Sequence, residues 1–252
     1  MDFGATEPTR QQINAWVSDS TNERIPELLA PGVIDPATTL VLTNAIWFQG
    51  SWATTFEAER TAELPCTMAD GKQAKGPLMH QEHQHRWGQL EGLSLLALPY
   101  EGDRLEMLLA LPDAHDGLPT LEASVSPETL DAWDAALRPM KVQVWLPRFE
   151  LSSDFELSAA LAELGMPSAF GGDADFSGIT QAEALAISKV IHQAWVAVDE
   201  QGTEAAAATA VVTKRSIPRT ATFRADRPFL FLIRDTQTGA MLFMGRYVAP
   251  PQ

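Results

Sequence analysis

Hydrophobic positions change their period several times along this chain, and the changes outline its elements. Pro8 near a helix start, followed by Ile13, Trp16 and Val17 at helical spacing, predicts an amphipathic helix through about Ser18. From Thr38 to Phe48 the pattern becomes a dense β-rich run closed by Gly50, which predicts a central strand covered on both faces. Between about Phe56 and Leu111, turn signals at Asp70-Gly71, Gly88, Gly92 and Glu101-Gly102-Asp103 divide the chain into short strands, as in antiparallel sheet. Ser126-Pro127 opens a helix carrying Leu130, Trp133 and Leu137. Val142, Val144 and Leu146 then alternate through a strand ending at Pro147. Leu157, Leu161 and Leu164 line another helix, stopped by Gly165. Leu185 to Val198 reads as a second long strand. Its apolar phase slips near Lys189, as a bulge would make it, and His192 falls on the inward phase of Val190 and Val196.

After Val198 the pattern stops. Thr203 to Thr213 has no Pro, Gly or aromatic residue, and Glu204 is its only charge. Small side chains of this kind lie without clash on a crowded pleat, so the segment is competent to be a strand between two others. Glu204 to Ala210 is equally a good Ala-rich helix. Directly afterwards comes Lys214-Arg215-Ser216-Ile217-Pro218, a basic pair before a turn-compatible break. A trypsin-like protease, whose specificity pocket is acidic, cuts after such residues. Without repeats or a long linker, the fold class is α+β and residues 1–252 form one continuous domain.

Composition narrows the function. With 252 residues, 45% of them hydrophobic, the chain can bury a full core. Its net charge of −15 leaves no basic patch for nucleic acid. The single cysteine, Cys66, rules out an intrachain disulfide and reads as a small buried hydrophobe. No apolar run approaches a membrane span, and no signal peptide is visible. His80, His83 and His85 invite a metal, but on a strand His80 projects away from the other two and no cysteine or acidic ligand completes a set, so no metal is assigned. Gly-x-Ser-x-Gly, His-Glu-x-x-His and Gly-rich phosphate loops are all missing, which disfavours an enzyme.

Several segments carry a family resemblance. Glu200-Gln201-Gly202-Thr203-Glu204-Ala205-Ala206-Ala207-Ala208-Thr209 resembles the hinge of the reactive-centre loop of serpins, the serine-protease-inhibitor family. Phe223 to Phe231 resembles the strand after that loop, and Phe243 to Val248 the family's final strand. QQINAWVSDSTNERIPELL resembles the helix lying across the front of the main sheet. LTNAIWFQGSW resembles that sheet's third strand, and Asp175 to Ile179 a family loop signature. The resemblance runs through the whole chain. Because Met1-Asp2-Phe3-Gly4 resembles the lead-in to a helix that the family places midway, it implies a serpin lacking roughly the amino-terminal third.

The resemblance implies a large mixed central sheet, further antiparallel sheets, packed helices and an exposed reactive-centre loop at about 200–222. It implies a monomeric suicide substrate that needs no cofactor. A trypsin-like serine protease acylates at the loop, the cleaved loop inserts into the main sheet as a new strand, and the covalent complex is trapped. Insertion takes Thr203, Ala205, Ala207 and Thr209 into a packed interior; all are small and neutral, and Glu204 falls on the other face. Counting backward from the following strand, the scissile bond is Arg215–Ser216, with Lys214 as alternative bait. Counting forward from Glu200, the loop is one residue shorter than the commonest family length, which nominates Ser216. Asn44 and His192 are placed in a buried hydrogen-bond cluster holding the sheet closed, with Trp52 at the end where insertion begins. A non-inhibitory or inactive serpin fragment, cut as a plain substrate or serving as a binding surface, is the alternative. The family favours an extracellular setting.

Overall fold

The computed structural model describes residues 2–201 and 220–250. In chain order its elements are helix α1 (Thr6–Ser20), strands β1 (Leu40–Phe48), β2 (Ala62–Thr67), β3 (Gln73–Leu90), β4 (Leu93–Pro99) and β5 (Leu105–Pro112), and helices α2 (Leu118–Ser124) and α3 (Pro127–Ala136). Strands β6 (Arg138–Pro147) and β7 (Phe149–Glu156), helix α4 (Ser158–Glu163), and strands β8 (Ile187–Val198), β9 (Thr220–Arg224), β10 (Phe229–Asp235) and β11 (Met241–Tyr247) follow. Helices and mixed sheets make the fold α+β. Two units are distinguishable, Met1–Phe48 with Glu150–Val196 and Gln49–Phe149 with Ala197–Gln252.

The first unit carries a three-stranded sheet in the order β1-β8-β7. β1 and β8 run parallel, and the slip in the β8 pattern is a bulge. Leu40 pairs with Ile187 but Val41 with Lys189, leaving Ser188 as the extra residue. The Thr39 amide donates to Ser188 Oγ at 3.0 Å, which gives the bulged side chain a partner. α1 buries Ile13 and Val17, and its Asn14 side chain exchanges two hydrogen bonds with the backbone of Leu29. Arg10 donates to Leu29 O and pairs with Glu7 and Glu27, clamping the helix to the connection that follows it.

Three expectations fail in this unit. Trp16, assigned to the apolar stripe of α1, is 61% exposed. β1 is neither central nor covered on both faces: among the described residues it is a sheet edge, and Leu42 on one face is 43% exposed. A dense apolar run records the contacts a strand can make, not how many it has. α4 is shorter than its leucine pattern. Gly165, at φ +116°, ends it as expected, but Leu164 is largely exposed and Leu157 precedes the first turn.

The second unit is built on a sheet ordered β11-β10-β5-β4-β3-β6-β9, with β2 paired to β3. Gly71, Gly92 and Gly102 supply the positive-φ turns that their signals indicated. Gly88 does not. It lies inside β3, where a Cβ would come within 2.8 Å of the Ala136 carbonyl oxygen, so the residue is required by close approach to α3. α3 begins as predicted, with Ser126 Oγ accepting from the Thr129 amide. Its Trp133 joins Leu118 and Leu121 of α2 over Leu95, Leu108, Leu230 and Leu232 of the sheet. Beside this core, Arg234 binds Glu106 and Asp134, and Arg86 reaches both carboxylates as well; Glu106 and Arg234 are buried, so removing either unbalances a buried charge network. Cys66 is buried, and burial pushes its thiol up out of the reactive range.

The three histidines part company on β3. His80 stacks on Trp145, while His83 and His85 share the other face with ring centroids 5.7 Å apart. His85 is 5% exposed, and neither ring nitrogen has a hydrogen-bond partner among the described residues. Burial, with a smaller push from His83, lowers its pKa to about 4. The unfolded chain takes up a proton near the ordinary histidine value and the folded chain does not. Stability is therefore full above about pH 6.5 and is lost as the pH falls towards 4, by on the order of 3 kcal/mol. His85→Phe is expected to flatten urea-unfolding midpoints across that window; an unchanged pH slope would contradict the assignment.

Candidate functional site

Gly202, Thr203, Glu204, Ala205, Ala206, Ala207 and Ala208 of the hinge, and Lys214, Arg215 and Ser216 of the bait, lie outside the described residues. What is described is the root on either side of them and the strand pair β1–β8.

The first root continues from β8 and belongs to the second unit. Glu200 is 8% exposed. Its Oε1 accepts from Thr61 Oγ1 at 2.7 Å and faces Arg148 Nη1 at 3.7 Å. The Glu200 carbonyl accepts from the Phe56 amide at 2.8 Å. One residue earlier, Asp199 O accepts from Trp52 Nε1 at 2.9 Å, and its carboxylate takes the Gln201 amide. Trp52 is itself fixed: it stacks on Tyr100 with centroids 4.5 Å apart and meets Phe56 edge-on. Two acidic side chains, two backbone carbonyls and an indole thus hold residues 199–201 in one conformation.

The second root is β9, which pairs parallel with β6 from Thr220↔Lys141 to Arg224↔Trp145. Ala225 N then donates to Trp145 O, and Arg227 Nε donates to Pro112 O at 2.6 Å. Both ends of the segment are tied into the same unit.

The β1–β8 pair lies in the first unit and has nine matched positions, from Leu40↔Ile187 to Phe48↔Val196. At mid-strand Asn44 stands opposite His192, and Asn44 Oδ1 lies 2.8 Å from His192 Nδ1. The two expected polar partners do meet, but not in a buried cluster. Asn44 is exposed and His192 half-buried, because the described residues leave that face of the sheet open. Leu42 lies on the same face, and the ring of Phe155, 48% exposed, stacks on His192. On the other side of β8 the bracing is heavier. Trp195 Nε1 donates to Glu150 at 2.7 Å, Gln193 to Ser152 at 3.0 Å, and the Arg24 guanidinium sits 4.7 Å over the Trp195 ring. Between α1 and β1 a groove of about 180 Å³ is lined by Val17, Thr21, Thr43 and Ala45.

Thr61, Arg148, Glu150 and Tyr100 went unnoticed in the sequence. No local pattern marks them, since Thr61 lies 139 residues from the glutamate it holds. Arg148 carried a faint signal as the one cation immediately beyond an alternating apolar strand.

Comparison with known proteins fits this geometry. The family model described as Serpin (serine protease inhibitor) matches residues 1–250. Curated relatives include leukocyte elastase inhibitor of Sus scrofa, 42% identical over 98% of this chain and 68% of its own length, and of Xenopus laevis, 40% identical over 99% and 68%. Serpin B6 of Macaca fascicularis is 40% identical, again over 99% and 68%. Among solved structures, uncleaved ovalbumin superposes with a TM-score of 0.88 at 34% identity, covering 99% of this chain and 65% of that one. Native protease nexin-1 with heparin gives 0.86 at 35%, over 99% and 68%. The chain spans about two thirds of the length of these relatives. With the family model matched from end to end, and relatives at 40–42% identity over nearly the whole chain, the chain belongs to the serpin family.

Proposed function

We propose that this chain acts as one domain that inhibits trypsin-like serine proteases as a suicide substrate, with Arg215–Ser216 as the scissile bond and Lys214 as secondary bait. The protease serine attacks the Arg215 carbonyl carbon, the Ser216 amine leaves, and an acyl-enzyme remains on Arg215. Before water releases it, the segment from Gly202 onward folds back between β1 and β8 and carries the protease with it.

The observation that carries this reading is the match between segment and seam. Thr203 to Val212, ten residues as a strand, cover roughly 33 Å, and the nine paired positions of β1–β8 cover roughly 30 Å. A chain that leaves β8 at Val198 and turns at Gly202 re-enters antiparallel to both strands. Glu200, Trp52 and the residues around them fix where that turn begins. Asn44 and His192 form the mid-seam bond that must break, and the groove beside β1 leaves α1 room to yield. The hinge residues Thr203, Ala205 and Ala207 are small and neutral, as inward positions of an inserted strand would require, and Glu204 alternates with them in the sequence.

Several relatives bear the name leukocyte elastase inhibitor, which favours a second reading: the same trap, sprung by an elastase-type protease cutting elsewhere in the loop. The plain-substrate alternative shares the bait but not the trap.

Incubation with trypsin, followed by a denaturing gel and intact mass, separates the three. A band at the summed mass that Arg215→Ala abolishes is the expected result. A covalent band with elastase that survives Arg215→Ala would select the second reading. Cleavage after Arg215 with trypsin fully active would leave only a substrate.

The loop root gives a separate expectation. Glu200→Ala leaves Arg148 and Thr61 without their shared acceptor and is expected to destabilise the chain by about 1–3 kcal/mol. Glu200→Gln, which keeps an acceptor oxygen, is expected to cost less. Equal melting temperatures for parent and Glu200→Ala would mean that the root is not held there.

A further inference from the structure

One face of β3 carries a row of polar side chains that the proposed inhibition does not use. Gln81, His83 and His85 follow one another at alternate positions and so project from the same side of the strand. Opposite them on β6 stand Val144, Val142 and Met140, none of which carries a charge or a hydrogen-bonding group to meet the row. Gln81 and His85 are deeply buried, at 6% and 5% exposure. Neither ring nitrogen of His85 has a partner among the described residues, and neither does Gln81 Oε1. The amide of Gln81 is held by its other atom, with Nε2 donating to Thr54 O at 3.4 Å. An imidazole buried with both nitrogens unmet costs free energy, and a ligand to one of them offsets that cost.

His83 supplies a second imidazole at the right distance. Its ring centroid lies 5.7 Å from that of His85, with the planes 56° apart. Two imidazoles sharing one ion at metal–nitrogen distances of about 2.0–2.1 Å stand up to roughly 6 Å apart between centroids. The pair is therefore spaced to chelate without movement of the strand. His83 Nδ1 is 3.4 Å from Gln84 O, which assigns Nε2 as its ligating nitrogen. Because His83 is exposed, an ion has a way in from solvent towards the buried ring behind it. No Cys, Asp or Glu joins the two histidines in a group of three among the described residues. Imidazole donors without a carboxylate suit copper, nickel and zinc rather than magnesium or calcium, and among these ions affinity is highest for Cu2+.

We infer that His83 and His85, with the Gln81 carbonyl beside them, form a binding site for a late first-row divalent cation, Cu2+ most tightly. The inference is independent of the bait. β3 pairs with β2, β4 and β6, so an ion held here fastens the strand from which much of the second unit's sheet extends. Binding to the folded chain alone stabilises it by mass action.

Titration of the intact chain with Cu2+ against glycine as a competing chelator, near neutral pH, gives the stoichiometry and dissociation constant. One tight ion per chain is expected, with nitrogen hyperfine splitting from two imidazoles in the electron paramagnetic resonance spectrum and a raised thermal midpoint. Ni2+ and Zn2+ are expected to bind more weakly, and Mg2+ not at all. His83→Asn and His85→Phe are each expected to weaken Cu2+ binding by about tenfold or more and to remove the rise in midpoint. His80→Asn, on the other face of the same strand, is expected to stay within about twofold of the parent. His83→Asn alters an exposed side chain and decides the matter if His85→Phe does not fold. A parent chain that takes up no Cu2+ would overturn the site. So would unchanged affinity in His83→Asn with a loss in His115→Gln or His192→Gln, which would place the ion on surface histidines only.

Discussion

Parallel pairing of β1 with β8 is the contact on which the rest of the structure depends. Asn44 and His192 face each other across 148 residues of sequence. Parallel neighbours cannot be joined by a hairpin; they require a crossover. Here the crossover includes β2 to β6 and their helices, so much of the second unit is inserted in sequence between the two strands of the first. At mid-seam the side-chain bond is a solvent-exposed one, of the kind that contributes about 1 kcal/mol. The cost of parting the strands lies mainly in their backbone ladder, whose groups cannot be left unpaired.

That cost vanishes if a third strand enters. One ladder is exchanged for two, and nothing is left orphaned. The segment after Gly202 has the composition to enter, small at each inward position and free of proline, and its start is held by Glu200 and Trp52 rather than left to wander. On the proposed reading, the loop stores a difference in free energy that completing the sheet would release, and cleavage at the bait would set the moment of release. Burial chemistry elsewhere is conventional, with Trp133 and its leucines behind the sheet and Arg234 neutralised by Glu106 and Asp134.

Most of the elements were legible in the sequence, because alternation and turn chemistry are local. The bulge at Ser188 showed as a slipped phase, and the Ser126 cap as a Ser-Pro start. Gly88 misled because a glycine demanded by the approach of α3 looks, in sequence, like one demanded by a turn. Trp16 and β1 misled for a related reason: hydrophobicity is a property of the residue, whereas cover comes from whatever packs against it. For the site, Asn44, His192 and Glu200 were found through family pattern. Their partners Thr61, Arg148 and Phe155 come from distant parts of the chain, and nothing local to those residues announces the meeting.

The most direct test of strand insertion is the thermal midpoint of the chain before and after a single cut at Arg215 by catalytic trypsin. Filling the seam adds a ladder of about nine bonds at roughly 1 kcal/mol each. For a chain of this size that is a rise in midpoint of about 20 °C or more. A cut chain that melts at the same temperature as the intact one, or lower, would mean that β1 and β8 do not open and that the loop has no place between them.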